Sequence, residues 1–403
     1  MRVLFISMAA VPHVFPLVPL AWAFRAAGHD VRVAGQPPAV ATVTRAGLTA
    51  VPIAGDFNVR GDISAGPGAA EAGDDASALS RDEALRRFMR LGPDAMETAL
   101  VRLVDAMVGD LRTAVEDWRP DLVLADPLPF AAPLIAELTG APFVRCLWGP
   151  ALPPGRDRTA ESDPATGLLP EALAALCQRY GVPVREDYAA RTIDPCPPSM
   201  RVPDVPGRLP VRYVPYNGAT ELPDWLARAP KRPRVCVTWG TSTTRILGQE
   251  SSPVPMVVDA VADLGAEIVV AVGSADRGQL AGVPDGVRIL EDTPLSLLLP
   301  SCDAMIHTAG AGALMTATVN GVPQVTAPSH LGEQRLNAER LAAAGAGINL
   351  SLDDFDAQVV RKATAEVLSD PGYREAAGAL REEMLAQPTP AEVVGVLENL
   401  ARQ

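Results

Sequence analysis

The run Met305-Ile306-His307-Thr308-Ala309-Gly310-Ala311-Gly312-Ala313 sets small residues between an apolar stretch and a helical pattern that begins near Leu314. A strand ending there, a turn without bulky side chains and a helix start would let the backbone come close to a bulky anion. The first N–H groups of a helix lack intrahelical partners and carry the positive end of its dipole. Gly310, Ala311, Gly312 and Ala313 could therefore seat a diphosphate without a metal. An ordinary strand–helix turn has the same look, and a single G-x-G does not separate the two.

Pro323-Gln324 follows that helix, and Glu333-Gln334 follows the next apolar run. A carboxylate beside an amide can accept and donate hydrogen bonds to neighbouring hydroxyls, as on a sugar ring. In open α/β sheets ligands sit beyond the carboxyl ends of strands. His13 also lies in a strand-end loop, after Val11 and Pro12. It could take a proton from a hydroxyl, or be a helix-start histidine with no task. Asp126 ends another strand on the same side and could bond the far nitrogen of His13, cap a helix or form a turn.

The elements that must hold these residues alternate strand and helix. Arg2 to Ile6 reads as a buried strand, about 14 to 27 as a helix closed by Gly28, and Val31 to Ala34 as a second strand. The first turn has no G-x-G-x-x-G, which argues against a nicotinamide or flavin dinucleotide. Residues 56–80 read as a loop, and Asp82 to Trp118 as one or two amphipathic helices. Strands follow at 122–125 and 143–148, the latter ending in Trp148. Trp148 suits either a flat apolar ligand or the core. After a Pro-rich connector, a second α/β set opens at Arg234 and reaches the hydroxyl-bearing loop Gly240-Thr241-Ser242. Strands at 268–272 and 287–290 lead to Thr293-Pro294-Leu295. The last amphipathic segment holds Val393, Val394, Leu397 and Leu400.

At 403 residues the chain has room for two domains. Its net charge of −13 and its lack of Lys/Arg clusters argue against a nucleic-acid partner. Five cysteines without C-x-x-C spacing predict free thiols in a reducing cytoplasm. No signal peptide and no spanning segment are expected. Asp354-Phe355-Asp356 is formally a metal-type D-x-D, but it falls at a helix start, where acids cap N–H groups, so no metal site is expected.

His307 to Ala313 resembles the H-H-G-G-A-G-T signature of inverting, nucleotide-sugar-dependent GT-B glycosyltransferases, and Glu333-Gln334 resembles their Asp-Gln pair. Thr308, Ala309 and Ala313 stand where that family usually has His, Gly and Thr. Pro12 to Ala21 resembles its G-H-x-x-P-L-x-P-L-A loop, and the Pro-rich connectors are similar to those of actinobacterial antibiotic glycosyltransferases of the anthracycline and aromatic polyketide kind. The resemblance implies an α/β GT-B fold, two Rossmann-like doubly wound domains facing a central cleft. It divides the chain into 1–212 (acceptor domain), 213–232 (linker), 233–385 (donor domain) and 386–403, a helix crossing back. It implies His13 as base and Asp126 as its partner. The donor residues would be Gly240, Thr241, Ser242, Thr293, Leu295, His307, Ala309 to Ala313, Glu333 and Gln334. Val11, Pro12 and Trp148 would face the acceptor, with loop 56–80 nearby. The co-substrate would be a dTDP-deoxysugar or another nucleotide sugar and the partner an aromatic polyketide aglycone, with no cofactor and with a homodimer open. Glycosylation at an aromatic carbon, a sugar-nucleotide 2-epimerase and a non-catalytic auxiliary protein are the alternatives.

Overall fold

The computed structural model describes residues 1–55, 93–150, 170–240, 252–284, 286–328, 333–351 and 353–403, with the backbone alone at 93–100, 170–173 and 279. The first half runs β1 (Arg2–Ser7), α1 (Val11–Val14), a 3-10 turn (Phe15–Leu17), α2 (Val18–Ala26), β2 (Asp30–Gly35), α3 (Pro37–Arg45), β3 (Thr49–Pro52), α4 (Pro93–Val115), β4 (Leu122–Ala125), α5 (Ala131–Thr139), β5 (Phe143–Cys146), α6 (Pro170–Tyr180), β6 (Ala189–Asp194) and β7 (Arg208–Pro210). Its strands form one seven-stranded sheet in the order β3-β2-β1-β4-β5-β6-β7. Every pairing in it is parallel. Successive side chains of β1 point to opposite faces. Leu4 and Ile6 join the core under α4 and α5, while Val3 and Phe5 join the core under α2 and α3.

The second half holds β8 (Arg234–Val237), α7 (Val254–Val261), β9 (Glu267–Val272), β10 (Arg288–Glu291), α8 (Leu295–Leu298), β11 (Ala304–His307), α9 (Ala311–Val319), β12 (Gln324–Thr326), α10 (Gln334–Ala343), β13 (Gly347–Asn349), α11 (Ala357–Ser369), α12 (Pro371–Leu385) and α13 (Pro390–Ala401). Its six-stranded parallel sheet has the order β10-β9-β8-β11-β12-β13. Each sheet reverses its winding beside its own first strand, β1 or β8, and that is where an open α/β sheet leaves a crevice. The architecture is two Rossmann-like doubly wound domains, as the resemblance implies.

The chain passes between the halves twice. No helix or strand interrupts the passage from Pro210 to Arg234. The second passage follows α12, after which α13 buries Val393, Val394 and Leu397 in the core of the first domain. The two passages meet where the Arg212 N–H donates to the Pro388 carbonyl at 2.6 Å. His29 Nε2 and Glu398 Oε1, 2.9 Å apart, fasten α13 down.

Two local outcomes differ from the sequence expectation. The helix expected over about 14 to 27 is divided into α1, the 3-10 turn and α2. Pro16 and Pro19 have no N–H to continue the ladder, so the segment turns between them and His13 is left on the short first piece. Strands β6 and β7 carried no pattern: Ala-Ala-Arg-Thr-Ile-Asp buries its last three residues, yet only Ile193 there is a large apolar one. Residues 56–80 and 82–92 lie outside the described residues.

Candidate active site

His13 and Asp126 come from the two adjacent strands β1 and β4, whose last pair in register is Ile6 and Ala125. Asp126 is the first residue past β4, and His13 is the third residue of α1, its N–H on the Ala10 carbonyl. Nδ1 of His13 lies 3.4 Å from Oδ2 of Asp126. At that separation the two are an ion-pair contact, and neither atom has a formed hydrogen bond. The other oxygen of Asp126 accepts the Leu128 N–H at 2.9 Å, which fixes the carboxylate. Burial lowers the proton affinity of His13, but the nearby charge of Asp126, with a smaller part from Glu333, outweighs it and leaves its pKa raised above 6.5. The Cys146 thiol nearby is pushed up by burial and then by Asp126.

Glu333 belongs to the second half of the chain, and its charge is felt at His13. Contacts beyond β5 join the two halves directly. Trp148 meets His13 edge to face, with ring centroids 4.9 Å apart and an interplanar angle of 86°. Its indole Nε1 is buried without a hydrogen-bond partner among the described residues. The next residue, Gly149, backs onto the front of α9, where a β-carbon would come 3.2 Å from the Ala311 methyl. Val11 is half-buried and Pro12 exposed at the start of α1. His13, Trp148 and the N-terminal end of α9 thus form one continuous lining.

On the donor side, β11 ends at His307 and α9 begins at Ala311 with Gly310 as its N-cap residue. Among the described residues no side chain caps it, and nothing comes within 4 Å of where a β-carbon at Gly310 or Gly312 would stand. Ala309 holds a left-handed backbone, φ +59°. His307 is fully buried. Its Nε2 is 2.8 Å from Gln324 Oε1, and its Nδ1 accepts the Ala309 N–H at 3.1 Å. Burial lowers its pKa to about 4 against a small opposing effect of Gln324, so the ring is neutral. The expected contact between His307 and a departing diphosphate therefore has no free ring nitrogen to make it. Gln324 and Asn337, which binds the Ala309 carbonyl at 2.9 Å, were not among the expected site residues. Pro323-Gln324 was visible in sequence beside the turn, whereas Asn337 gave no signal.

Glu333 precedes α10 and Gln334 opens it, buried. Thr293 bonds its own turn through the Glu291 carbonyl at 2.9 Å, and Leu295 starts α8, whose next N–H, on Ser296, reaches Asn217 Oδ1 at 3.2 Å. Ala313 is half-buried against the core. Gly240 ends the described part of the loop after β8, with φ +24°, and Thr241 and Ser242 lie outside the described residues. Asp356 caps α11 by accepting the Val359 N–H at 2.8 Å, as the helix-start reading of Asp354-Phe355-Asp356 expects. Among the described residues no cluster of His, Cys, Asp or Glu could hold a metal, and no helix is long and apolar enough to cross a membrane.

Comparison with known proteins identifies the family. Residues 22–240 match the family described as erythromycin biosynthesis protein CIII-like, N-terminal domain, and 255–400 match its C-terminal domain. Tylactone mycaminosyltransferase of Streptomyces fradiae is 39% identical over 99% of this chain and 92% of its own length. Aclacinomycin-T 2-deoxy-L-fucose transferase of Streptomyces galilaeus is 36% identical over 100% and 97%. The solved spinosyn forosaminyltransferase SpnP superposes with a TM-score of 0.80 at 34% identity over 100% of both chains. The Streptomyces sp. SF2575 glycosyltransferase SsfS6, complexed with thymidine diphosphate, gives 0.74 at 32% over 99% of each. The chain belongs to the erythromycin biosynthesis protein CIII-like family of natural-product glycosyltransferases.

Proposed function

We propose that the protein is an inverting, nucleotide-sugar-dependent glycosyltransferase that moves a deoxysugar from a dTDP-sugar to a hydroxyl of an aromatic polyketide or similar small aglycone. The observation that carries this reading is the His13–Asp126 contact set across Trp148 and Gly149 from the front of α9. Names of the relatives supply the substrate classes: a sugar transferred to tylactone or aclacinomycin, and thymidine diphosphate held by SsfS6. In this reading residues 1–212 hold the acceptor, 213–232 link, 233–385 hold the donor and 386–403 return to the first domain.

Nε2 of His13 takes the acceptor's hydroxyl proton while that oxygen attacks the anomeric carbon opposite the diphosphate. The new C–O bond forms as the sugar–phosphate bond breaks, and its electron pair leaves on the diphosphate. Asp126 stabilises the imidazolium that results. Backbone N–H groups at Gly310 to Ala313 meet the departing charge, so no metal ion is needed for that step. Glu333 and Gln334 hold sugar hydroxyls, Thr293 and Leu295 border the base, and Val11, Pro12 and Trp148 bound the acceptor.

Incubation with dTDP-deoxysugars and polyketide aglycones, with a chelator present, should give products heavier than the aglycone by one deoxysugar residue. His13→Ala should lower turnover by about a hundredfold or more. Near-normal turnover in that variant would remove His13 as the base. A loss of all activity on chelation would remove the metal-free step.

A further inference from the structure

We propose that Gln324 is a positioning residue: by fixing the tautomer of His307 it holds the left-handed turn at Ala309 that aims the front of α9 at a diphosphate. This rests on reading that helix front as the donor seat. A chain of buried hydrogen bonds supplies the argument. The Thr318 hydroxyl donates to the Leu314 carbonyl at 2.8 Å, so its oxygen is left to accept. It accepts from Gln324 Nε2 at 3.1 Å. That orients the amide, and its Oε1 must face His307 Nε2 at 2.8 Å. An amide oxygen only accepts, so Nε2 of His307 carries the proton and Nδ1 is a bare lone pair. Nδ1 can then accept the Ala309 N–H, as its 3.1 Å distance shows.

The other side of Ala309 is pinned too. Its carbonyl takes the Asn337 amide at 2.9 Å. The left-handed region is disfavoured for any residue with a β-carbon. Alanine stays there at φ +59° with a partner on each of its peptide groups, and Gly310, the N-cap residue, follows directly. Thr318, Gln324, His307, Ala309 and Asn337 are all essentially excluded from solvent, so water cannot replace a lost link cheaply. The imidazole is thus a strut for the turn and not a ligand of the phosphate.

Calorimetric titration of thymidine diphosphate into the full chain tests this. Gln324→Met keeps the length and removes both amide links, and it should weaken binding about tenfold. Adding Ala309→Gly should restore affinity to within about threefold of the parent, because glycine takes a positive φ freely. Unchanged affinity in Gln324→Met would overturn the proposal. Weakened affinity that the glycine does not restore would also overturn it, since His307 or Gln324 would then act on the ligand directly. Nitrogen NMR of the histidine-labelled parent needs no variant. It should show His307 with Nε2 protonated, and a protonated Nδ1 would overturn the chain of donors. A parent protein that binds no thymidine diphosphate would sink the donor-seat reading, while the NMR result still judges the tautomer.

Discussion

Gly149 abuts Ala311 so closely that any β-carbon at 149 would stand 3.2 Å from the alanine methyl. The two residues belong to different domains, and between them they set how near the segment after β5 comes to the front of α9. Gly149→Val should force the walls apart, because a branched side chain has no room to relax there. The donor KM should rise about tenfold with each domain still folded, since small displacements of reacting groups are costly. Steady-state kinetics with Gly149→Ala and Gly149→Ala/Ala311→Gly provide the check. The second variant should recover most of what the first loses, and equal kinetics in both would disconnect this contact from catalysis.

The His13–Asp126 pair predicts a pH profile. A base must be unprotonated, so kcat/KM should fall as pH drops through the raised pKa of His13, above 6.5. Asp126→Asn removes the charge that raises it and leaves burial, which lowers it. The acid limb should therefore move to lower pH, while the plateau falls about a hundredfold because the imidazolium loses its counter-charge. An acid limb that stays in place would assign it to another group.

His307 predicts a stability profile of the opposite kind. Its folded pKa of about 4 lies below the ordinary 6.5, so between those values the unfolded chain binds the extra proton. Stability should rise with pH across that window and be lost as pH falls through it, by roughly 3 kcal/mol in all. Urea unfolding at a series of pH values, compared with His307→Asn, isolates the contribution. Parallel curves for the two proteins would mean that His307 is not buried neutral.

Trp148 predicts a trade. Its indole N–H is buried with no partner among the described residues, at a cost of about 1 kcal/mol or more. Trp148→Phe should raise the melting temperature and leave thymidine diphosphate affinity unchanged. It should also lower kcat/KM for the aglycone about tenfold, if an acceptor oxygen is what the indole binds. Unchanged acceptor kinetics would remove that role.

Much of this was legible because strand ends and helix starts have local signatures. The apolar runs at 2–6 and 304–307 and the small residues at 309–313 mark both strand ends in the sequence itself. The pairing of His13 with Asp126 rested on resemblance, since sequence gives no distance. The partners of His307 were not legible for a physical reason: a histidine in a strand-end turn looks like a ligand until its neighbours are known. Its partner Gln324 sits on the adjacent strand, and the amide geometry that settles the matter is a tertiary fact. Strands β6 and β7 were invisible because one buried isoleucine makes no pattern.

The bond from Arg212 to Pro388 ties the outgoing and returning passages to each other. The same return passage is held elsewhere as well: Arg201 donates to Gln387 at 2.6 Å, and the Ser199 N–H donates to Glu383 at 2.8 Å. Cutting it would uncover the apolar face that Val393, Val394 and Leu397 fill in the first domain, without touching a residue of the candidate site.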